Sequence, residues 1–332
     1  MIDLRIIAAF FVSLIVTVLV GLWLVPLLRR LKADQPIREE GPVWHNKKQG
    51  TPTMGGIMFM AGIAVACFAV GFQDVIRHNF HVLAFAVIFG LIGFLDDYNK
   101  LKKQQNLGLN AKQKFLLQLI AAFLFLWLLN ALGYINSTLY IPFVNLVIEI
   151  PTVIYYVFAA FIIVGTVNAV NITDGIDGLA AGVTIPVAVC LTMIAALWNF
   201  TAMGIFSAAL AGGLVAFLFF NFHPAKVFMG DVGSLFLGGA ICAVVFVMDM
   251  PLILLPLGFV YFVETASVII QVTYFKLTKI KLKEGKRIFK MTPIHHHFEE
   301  TGWSEYKLFG IFTAVSAIFA AIAYFGVWNR VF

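Results

Sequence analysis

The sequence predicts an all-α polytopic membrane protein, one integral-membrane domain over residues 1–332, with ten transmembrane helices, both termini outside and a small outside β-hairpin. Three observations carry this reading. The composition departs from that of a soluble domain: 61% of the 332 residues are hydrophobic and 12% are charged, where soluble chains are near half apolar and a quarter charged. Mean hydropathy is +0.94. Ten apolar runs approach the length of about 20 helical residues that a hydrocarbon core requires. Lysine and arginine then fall almost wholly on one side of a ten-span alternation.

The first run, 6–28, is followed by its basic cluster, Arg29, Arg30 and Lys32. A cleaved signal peptide has the reverse layout, so the run reads as a retained span. The remaining runs are 54–72, 82–95, 115–132, 151–167, 179–198, 201–220, 234–247, 251–274 and 308–328. Runs 82–95 and 234–247 are short and borrow polar neighbours at their ends. Between the fourth and fifth runs, LYIP at 139–142 and VNLVIEI at 144–150 are rich in β-branched residues around Pro142 and predict the hairpin. With the N-terminus outside, 20 of the 23 Lys and Arg residues lie in inside loops, and Arg5, Arg77 and Arg330 remain outside. One missed or extra helix would scramble that asymmetry. The same alternation puts every polar cluster on the inside: 47–53, 96–114, 168–178, 221–234 and 276–305. Cys67, Cys190 and Cys242 lie within apolar runs and form neither a disulfide framework nor a metal-ligand spacing.

Ionisable groups near a bilayer are costly and are usually functional. The stretch NAVNITDGIDG at 168–178 carries Asp174 and Asp177 three residues apart. On a helical turn these share one face, and two carboxylates side by side repel unless a cation or proton intervenes. Caps of a polar loop are the simpler alternative. Asp96 and Asp97 close the third run, against the negative end of a helix dipole. Lys100 one turn on, or a bound Mg²⁺ held by oxygen ligands, would compensate them. In NFHPAKVFMGDVGS at 221–234, Gly230 and Gly233 bracket Asp231, Ser234 is placed to cap the eighth run, and Asn221, His223 and Lys226 lie close by. Lys48 and TPTMGG at 51–56, which includes Thr53, suit phosphate contact or an ordinary capped helix start. His295, His296 and His297 follow a basic segment. Consecutive side chains diverge, so they suit phosphate donors or a loop lock better than one zinc ion. Glu264 is an acid inside the ninth run, with Gln271 seven residues later on the same face; a helix broken near Glu264 and projecting inward would serve both, and pairing with a polar neighbour helix is the alternative.

There is no P-loop, no Ser-His-Asp layout and no GxGxxG fingerprint. Carboxylates and lysines at one membrane surface suggest phosphoryl transfer between two phosphate-bearing substrates, one of them a lipid phosphate, with positioning and charge neutralisation supplying most of the rate. A transporter would need ionisable residues along a path near the midplane, and only Glu264 qualifies.

TPTMGGI at 51–57, DDY at 96–98, NAVNITDGIDG at 168–178, GDVGS at 230–234 and PIHHHF at 293–298 together resemble the phospho-N-acetylmuramoyl-pentapeptide transferase family, within the polyprenyl-phosphate N-acetylhexosamine-1-phosphate transferases. The resemblance runs from Lys48 to about Trp303. It implies transfer of phospho-MurNAc-pentapeptide from UDP-MurNAc-pentapeptide to undecaprenyl phosphate, giving lipid I and UMP, as the first membrane step of peptidoglycan synthesis. It implies Mg²⁺ with Asp231 as its ligand, and Asp96 as base or nucleophile with Asp97 beside it. Asp174 and Asp177 become uridine-side or diphosphate-side contacts, supported by Asn168 and Asn221. Lys48, Lys100 and Lys114 would neutralise phosphate, Thr53 would line the substrate site and Gln271 the nucleoside pocket. His295, His296 and His297 would fix the pocket and donate to phosphate, His296 within the catalytic set. The resemblance further implies a ninth helix bent into the cytoplasm, a homodimer in the bacterial plasma membrane, an active site facing the cytoplasm, and no nucleic-acid partner. The nearest alternative is a sibling that uses UDP-GlcNAc; the HHHF block and the TPTMGG entry favour the muramyl-peptide family.

Overall fold

The computed structural model describes residues 3–31, 33, 50–70, 76–103, 108–135 and 137–330. They form twelve α-helices, one short 3₁₀ turn and one two-stranded sheet. The chain opens with α1 (Leu4–Arg30), whose first turn is capped by the Asp3 carboxylate accepting from Arg5 N. Then follow α2 (Ile57–Val70), α3 (Ile76–Lys103) and α4 (Ala111–Ala131), the last opened by a reciprocal capping box between Asn110 and Gln113. Strands β1 (Thr138–Ile141) and β2 (Leu146–Glu149) pair antiparallel, with Thr138 opposite Glu149 and Ile141 opposite Leu146, where the β-branched residues predict the hairpin. Next come α5 (Thr152–Thr173), α6 (Leu179–Leu197), α7 (Thr201–Asn221) and α8 (Gly230–Val247). The chain ends with the 3₁₀ turn Pro251–Ile253, α9 (Leu254–Leu257), α10 (Phe259–Leu282), α11 (Ile294–Glu299) and α12 (Glu305–Val327).

Among the described residues, eight helices are long and apolar enough to cross a membrane, or nine if the bent pair α9–α10 counts as one span. Helix α8 is the hub. Of its most apolar window, 89% is buried, against 28% for α1 and α12, which turn most of their surface outward. Lipid does not drive helices together, so small residues and close approach must. Accordingly α8 packs on α3 and α5 through Gly238 against Val167 and Gly239 against the Phe89 ring.

Several boundaries differ from the apolar runs, each for an identifiable reason. The run 54–72 starts as extended chain, because Gly55 N and Gly56 N donate to Phe228 O and Met229 O, and Phe228 N donates to Pro52 O. That backbone ladder leaves α2 only 14 residues. The short run 82–95 is the middle of the 28-residue α3, whose polar ends hydropathy does not count. Asp96 and Asp97 therefore lie inside a helix that continues to Lys103, and do not face its terminal dipole. Helix α8 begins at Gly230, so Ser234 is no cap; its hydroxyl donates back to Gly230 O. The chain does not break near Glu264. It bends by 80° between α9 and α10 at Gly258, two residues after Pro256.

At the end of α8 away from Asp231, Arg330 donates to Met248 O and Asp249 O and lies over the Tyr140 ring at 4.2 Å and the Trp198 ring at 5.0 Å. It joins the hairpin, the α6–α7 turn and the end of α8. Replacing it by Ala removes charge-assisted hydrogen bonds and cation–π contacts together. Arg330→Ala is expected to lower the melting temperature in detergent by a few degrees, and to leave catalytic turnover per folded molecule unchanged; thermal unfolding and an activity assay check this.

Candidate functional site

Two helices, α3 and α8, build the centre by lying almost in contact. A Cβ on Gly93 would stand 2.1 Å from Asp231 O, so only glycine permits the approach. One turn after Gly93, Asp97 reaches the start of α8 and accepts from Val232 N at 3.0 Å. Asp96, beside it, accepts from Leu109 N at 2.8 Å, which pins the loop before α4. Asp96, Asp97 and Asp231 bring one carboxylate oxygen each within 4.8 Å of one another. Three such groups would repel strongly unless positive charge lay among them.

Lys100 supplies it. Its Nζ is 2.6 Å from Asp96 Oδ2, 2.8 Å from Asp231 Oδ2 and 3.6 Å from Asp97 Oδ1. Lys114 of α4 is 2.8 Å from the same Asp231 oxygen. The other oxygen, Asp231 Oδ1, accepts from Asn171 Nδ2 at 2.8 Å. Asn171 donates also to Ser234 Oγ. Thr53 is buried beside Gly230 at the same place.

Asp174 caps the end of α5 and faces this group. Enclosure by protein, together with the charges of Asp231, Asp97 and Asp177, pushes its carboxyl up to about 8. Among the described residues the centre thus holds four carboxylates, Asp96, Asp97, Asp174 and Asp231, against two ammonium groups, Lys100 and Lys114. Oxygen donors with an excess of negative charge suit a hard divalent cation. The donor set fits such an ion at Asp231, Asp96 and Asp97, where the Lys100 ammonium now occupies the shared position.

Asp174 and Asp177 do not share a helical face, because both lie beyond the end of α5. Asp177 turns away and accepts from Ala225 N at 3.0 Å and pairs with His223 Nδ1 at 2.8 Å. Glu305, from the first turn of α12, accepts from Asp177 N and lies 3.4 Å from His223. Asn221 bridges backbones, accepting from Gly178 N and donating to Val227 O. Asn168 exchanges hydrogen bonds with Gln118 of α4. Gln271 holds the following loop: its Oε1 accepts from Ile288 N and Phe289 N. The three histidines diverge, His295 to Glu264, His296 to Glu299, and His297 accepting from Lys290 N. Of the three, His295 ties α11 to α10 and His297 ties it to the loop that precedes it. Lys48 lies outside the described residues.

Sequence reasoning passed over Asn171, Gln118, Glu299 and Glu305. Asn171 had a signal, since it lies one turn before Asp174 within the same polar stretch. Gln118 and Glu305 had none, because their partners Asn168 and Asp177 are distant in the chain, whereas Glu299 lies one helical turn after His296.

The raised Asp174 value has a stability consequence. Unfolded, this carboxyl ionises near 3.8; folded, near 8. Between those values folding must hold a proton that the unfolded chain has lost, so Asp174 opposes folding more as pH rises from 4 to 8. In metal-free detergent, Asp174→Asn is expected to melt above the parent protein, by a margin that widens from pH 5 to pH 8; thermal unfolding across that range checks it.

The chain matches the family model described as glycosyl transferase family 4 over residues 79–249. It also matches phospho-N-acetylmuramoyl-pentapeptide-transferase signature 1 over residues 48–60, the entry to α2. Among curated relatives, a phospho-N-acetylmuramoyl-pentapeptide-transferase of Clostridium perfringens (strain 13 / Type A) is 45% identical, covering 98% of this chain and 99% of its own. One of Heliobacterium modesticaldum is 47% identical over 94% of each chain. One of Caldanaerobacter subterraneus subsp. tengcongensis is 44% identical, covering 97% of this chain and 99% of its own. With identity at that level along nearly its whole length, and the family's signature at the entry to α2, this chain belongs to the phospho-N-acetylmuramoyl-pentapeptide-transferase family.

Proposed function

We propose that this chain transfers phospho-MurNAc-pentapeptide from UDP-MurNAc-pentapeptide to undecaprenyl phosphate in the bacterial plasma membrane, releasing UMP and giving lipid I. The single observation that carries the reading is the cluster of Asp96, Asp97 and Asp231 around two lysines, in a chain of this family. Ten membrane crossings, with α2 and the bent α9–α10 pair counted as the two irregular ones, would put both termini outside and this centre at the cytoplasmic face. The 20-to-3 division of Lys and Arg supports that orientation. A cleft of about 720 Å³ between α10 and the 287–292 loop, with Lys276, Arg287 and Lys290 in its wall, offers further surface for an anionic donor.

The chemistry is attack by an oxygen of the lipid phosphate on the sugar-bearing phosphorus of the donor. One P–O bond forms, the bond to the bridging oxygen breaks, and that oxygen leaves with UMP. A phosphate monoester has its second ionisation near pH 6, so the attacking oxygen carries charge at neutral pH and requires little activation. Bringing two anions together is then the larger barrier. Lys100 and Lys114 neutralise phosphate oxygens, which they reach by releasing Asp96 and Asp231. Asp96 is the residue in place to accept a residual proton from the acceptor. It still accepts from Leu109 N once Lys100 has moved to phosphate, which lowers its own nucleophilicity and favours direct attack over an aspartyl-phosphate route. Mg²⁺ held by Asp231, with Asp96 and Asp97 beside it, would draw charge from the diphosphate as its bond breaks. Asn171 fixes the Asp231 carboxylate for that role.

UMP release by purified protein with undecaprenyl phosphate and Mg²⁺ tests this, with UDP-MurNAc-pentapeptide and UDP-GlcNAc offered separately. Release with the first donor only, abolished by EDTA, is expected; release with UDP-GlcNAc would move the protein to the sibling activity. Asp231→Asn is expected to lower turnover more than about 100-fold while the protein stays folded, and full activity in that variant would remove Asp231 as metal ligand.

A further inference from the structure

One buried acid has no part in the chemistry set out above. Glu264 lies in α10 beyond the bend at Gly258, and its side chain is wholly buried. His295 of α11, also wholly buried, donates from Nδ1 to Glu264 Oε2 at 3.0 Å. With that proton on Nδ1, the opposite edge of the ring presents Nε2, and this edge meets Gly175. A Cβ at Gly175 would stand 2.1 Å from His295 Nε2 and 2.6 Å from Cε1. Gly175 directly follows Asp174. The contacts therefore form a line from the bent helix, through the imidazole, to the turn that aims Asp174 at Asp231 and Asp97.

Packing alone does not account for the pair. Among the described residues, neither Glu264 Oε1 nor His295 Nε2 has a hydrogen-bond partner. A buried polar atom left unmatched is destabilising, and a hydrocarbon pair of similar volume would avoid that penalty. A carboxylate behind an imidazole does, however, fix the ring's orientation and the nitrogen it presents.

We propose that Glu264 is a positioning residue for the carboxylate centre. It holds the His295 ring edge-on against Gly175, and so sets the turn that carries Asp174. This inference rests on the reading of that centre as a divalent-cation site for phosphoryl transfer.

The test uses the full chain in detergent and compares the parent protein with Glu264→Gln, Glu264→Leu and Gly175→Ala. Each is read by its metal-free melting temperature, by the rise in melting temperature on adding Mg²⁺, and by UMP release against Mg²⁺ concentration. The Gln carbonyl still accepts from Nδ1, so Glu264→Gln is expected to keep the Mg²⁺-induced rise and most of the turnover. Glu264→Leu frees the ring. It is expected to need more Mg²⁺ for half-maximal release, to show a smaller Mg²⁺-induced rise, and to lose about 10- to 100-fold in turnover. Gly175→Ala pushes on the same contact from the other side without touching the buried charge, and is expected to do likewise even should Glu264→Leu fail to fold. A change in metal-free melting temperature alone, with the Mg²⁺ response unaltered in Glu264→Leu or Gly175→Ala, would reduce Glu264 to a packing residue. Glu264→Gln as impaired as Glu264→Leu would assign the effect to charge instead of orientation, and would also overturn the proposal. Parent protein that releases no UMP at any Mg²⁺ concentration would instead sink the transferase reading, while the Mg²⁺-induced melting shifts across the variants still decide the role of Glu264.

Discussion

The Lys100 ammonium, shared among Asp96, Asp97 and Asp231, is the interaction on which the rest of the carboxylate centre depends. Carboxylates crowded together at a membrane surface are stable only with positive charge among them. Removing one member of such a buried network typically costs about 3–5 kcal/mol, because the remaining charge has lost its partner. The same arrangement is provisional by its chemistry. An ammonium held at 2.6–3.6 Å from three acids occupies the position that a divalent cation would take, and a phosphate oxygen is an equally good partner for it. The centre is therefore stable before substrate arrives and exchangeable afterwards.

The backbone was brought to that point by small residues. Gly93 lets α3 meet α8, and the ladder between 52–56 and 228–229 lays the entry to α2 against the start of α8. These contacts shorten α2 and move the beginning of α8 forward, so regular secondary structure gives way where the site needs backbone proximity. Around the centre lies a second set of residues whose hydrogen bonds go to the protein itself. Asn168 ties α5 to α4, Asn221 ties the α5–α6 turn to the segment after α7, and Gln271 and His297 hold the loop after α10 to α10 and α11. They hold the geometry of the loops that carry the acids.

The cluster at Asp177, His223 and Glu305 illustrates where sequence reasoning stops. Asp177 and His223 lie in polar stretches that draw attention by their density. Glu305 opens an apolar helix and looks like an ordinary first-turn acid, favourable against the helix dipole. Its contact with Asp177 N spans 128 residues, and no local pattern announces it. The histidine block was readable in part: consecutive side chains must diverge, and they do. The partner of His295, Glu264, was not readable, since 31 residues separate the two.

Composition and run lengths determined by themselves that this is a polytopic helical membrane protein. Those properties follow from transfer free energies, which are local and additive along the chain. The motifs likewise marked Asp96, Asp97, Asp174 and Asp231, since isolated acids beside apolar runs are costly enough to stand out. Tertiary structure alone decided which of these acids meet, that Lys100 is shared among three of them, that Asp177 turns to His223, and that the bend falls at Gly258. All but the bend depend on the approach of segments far apart in sequence. That approach is set by side-chain volume at a few contact points, which neither hydropathy nor periodicity records.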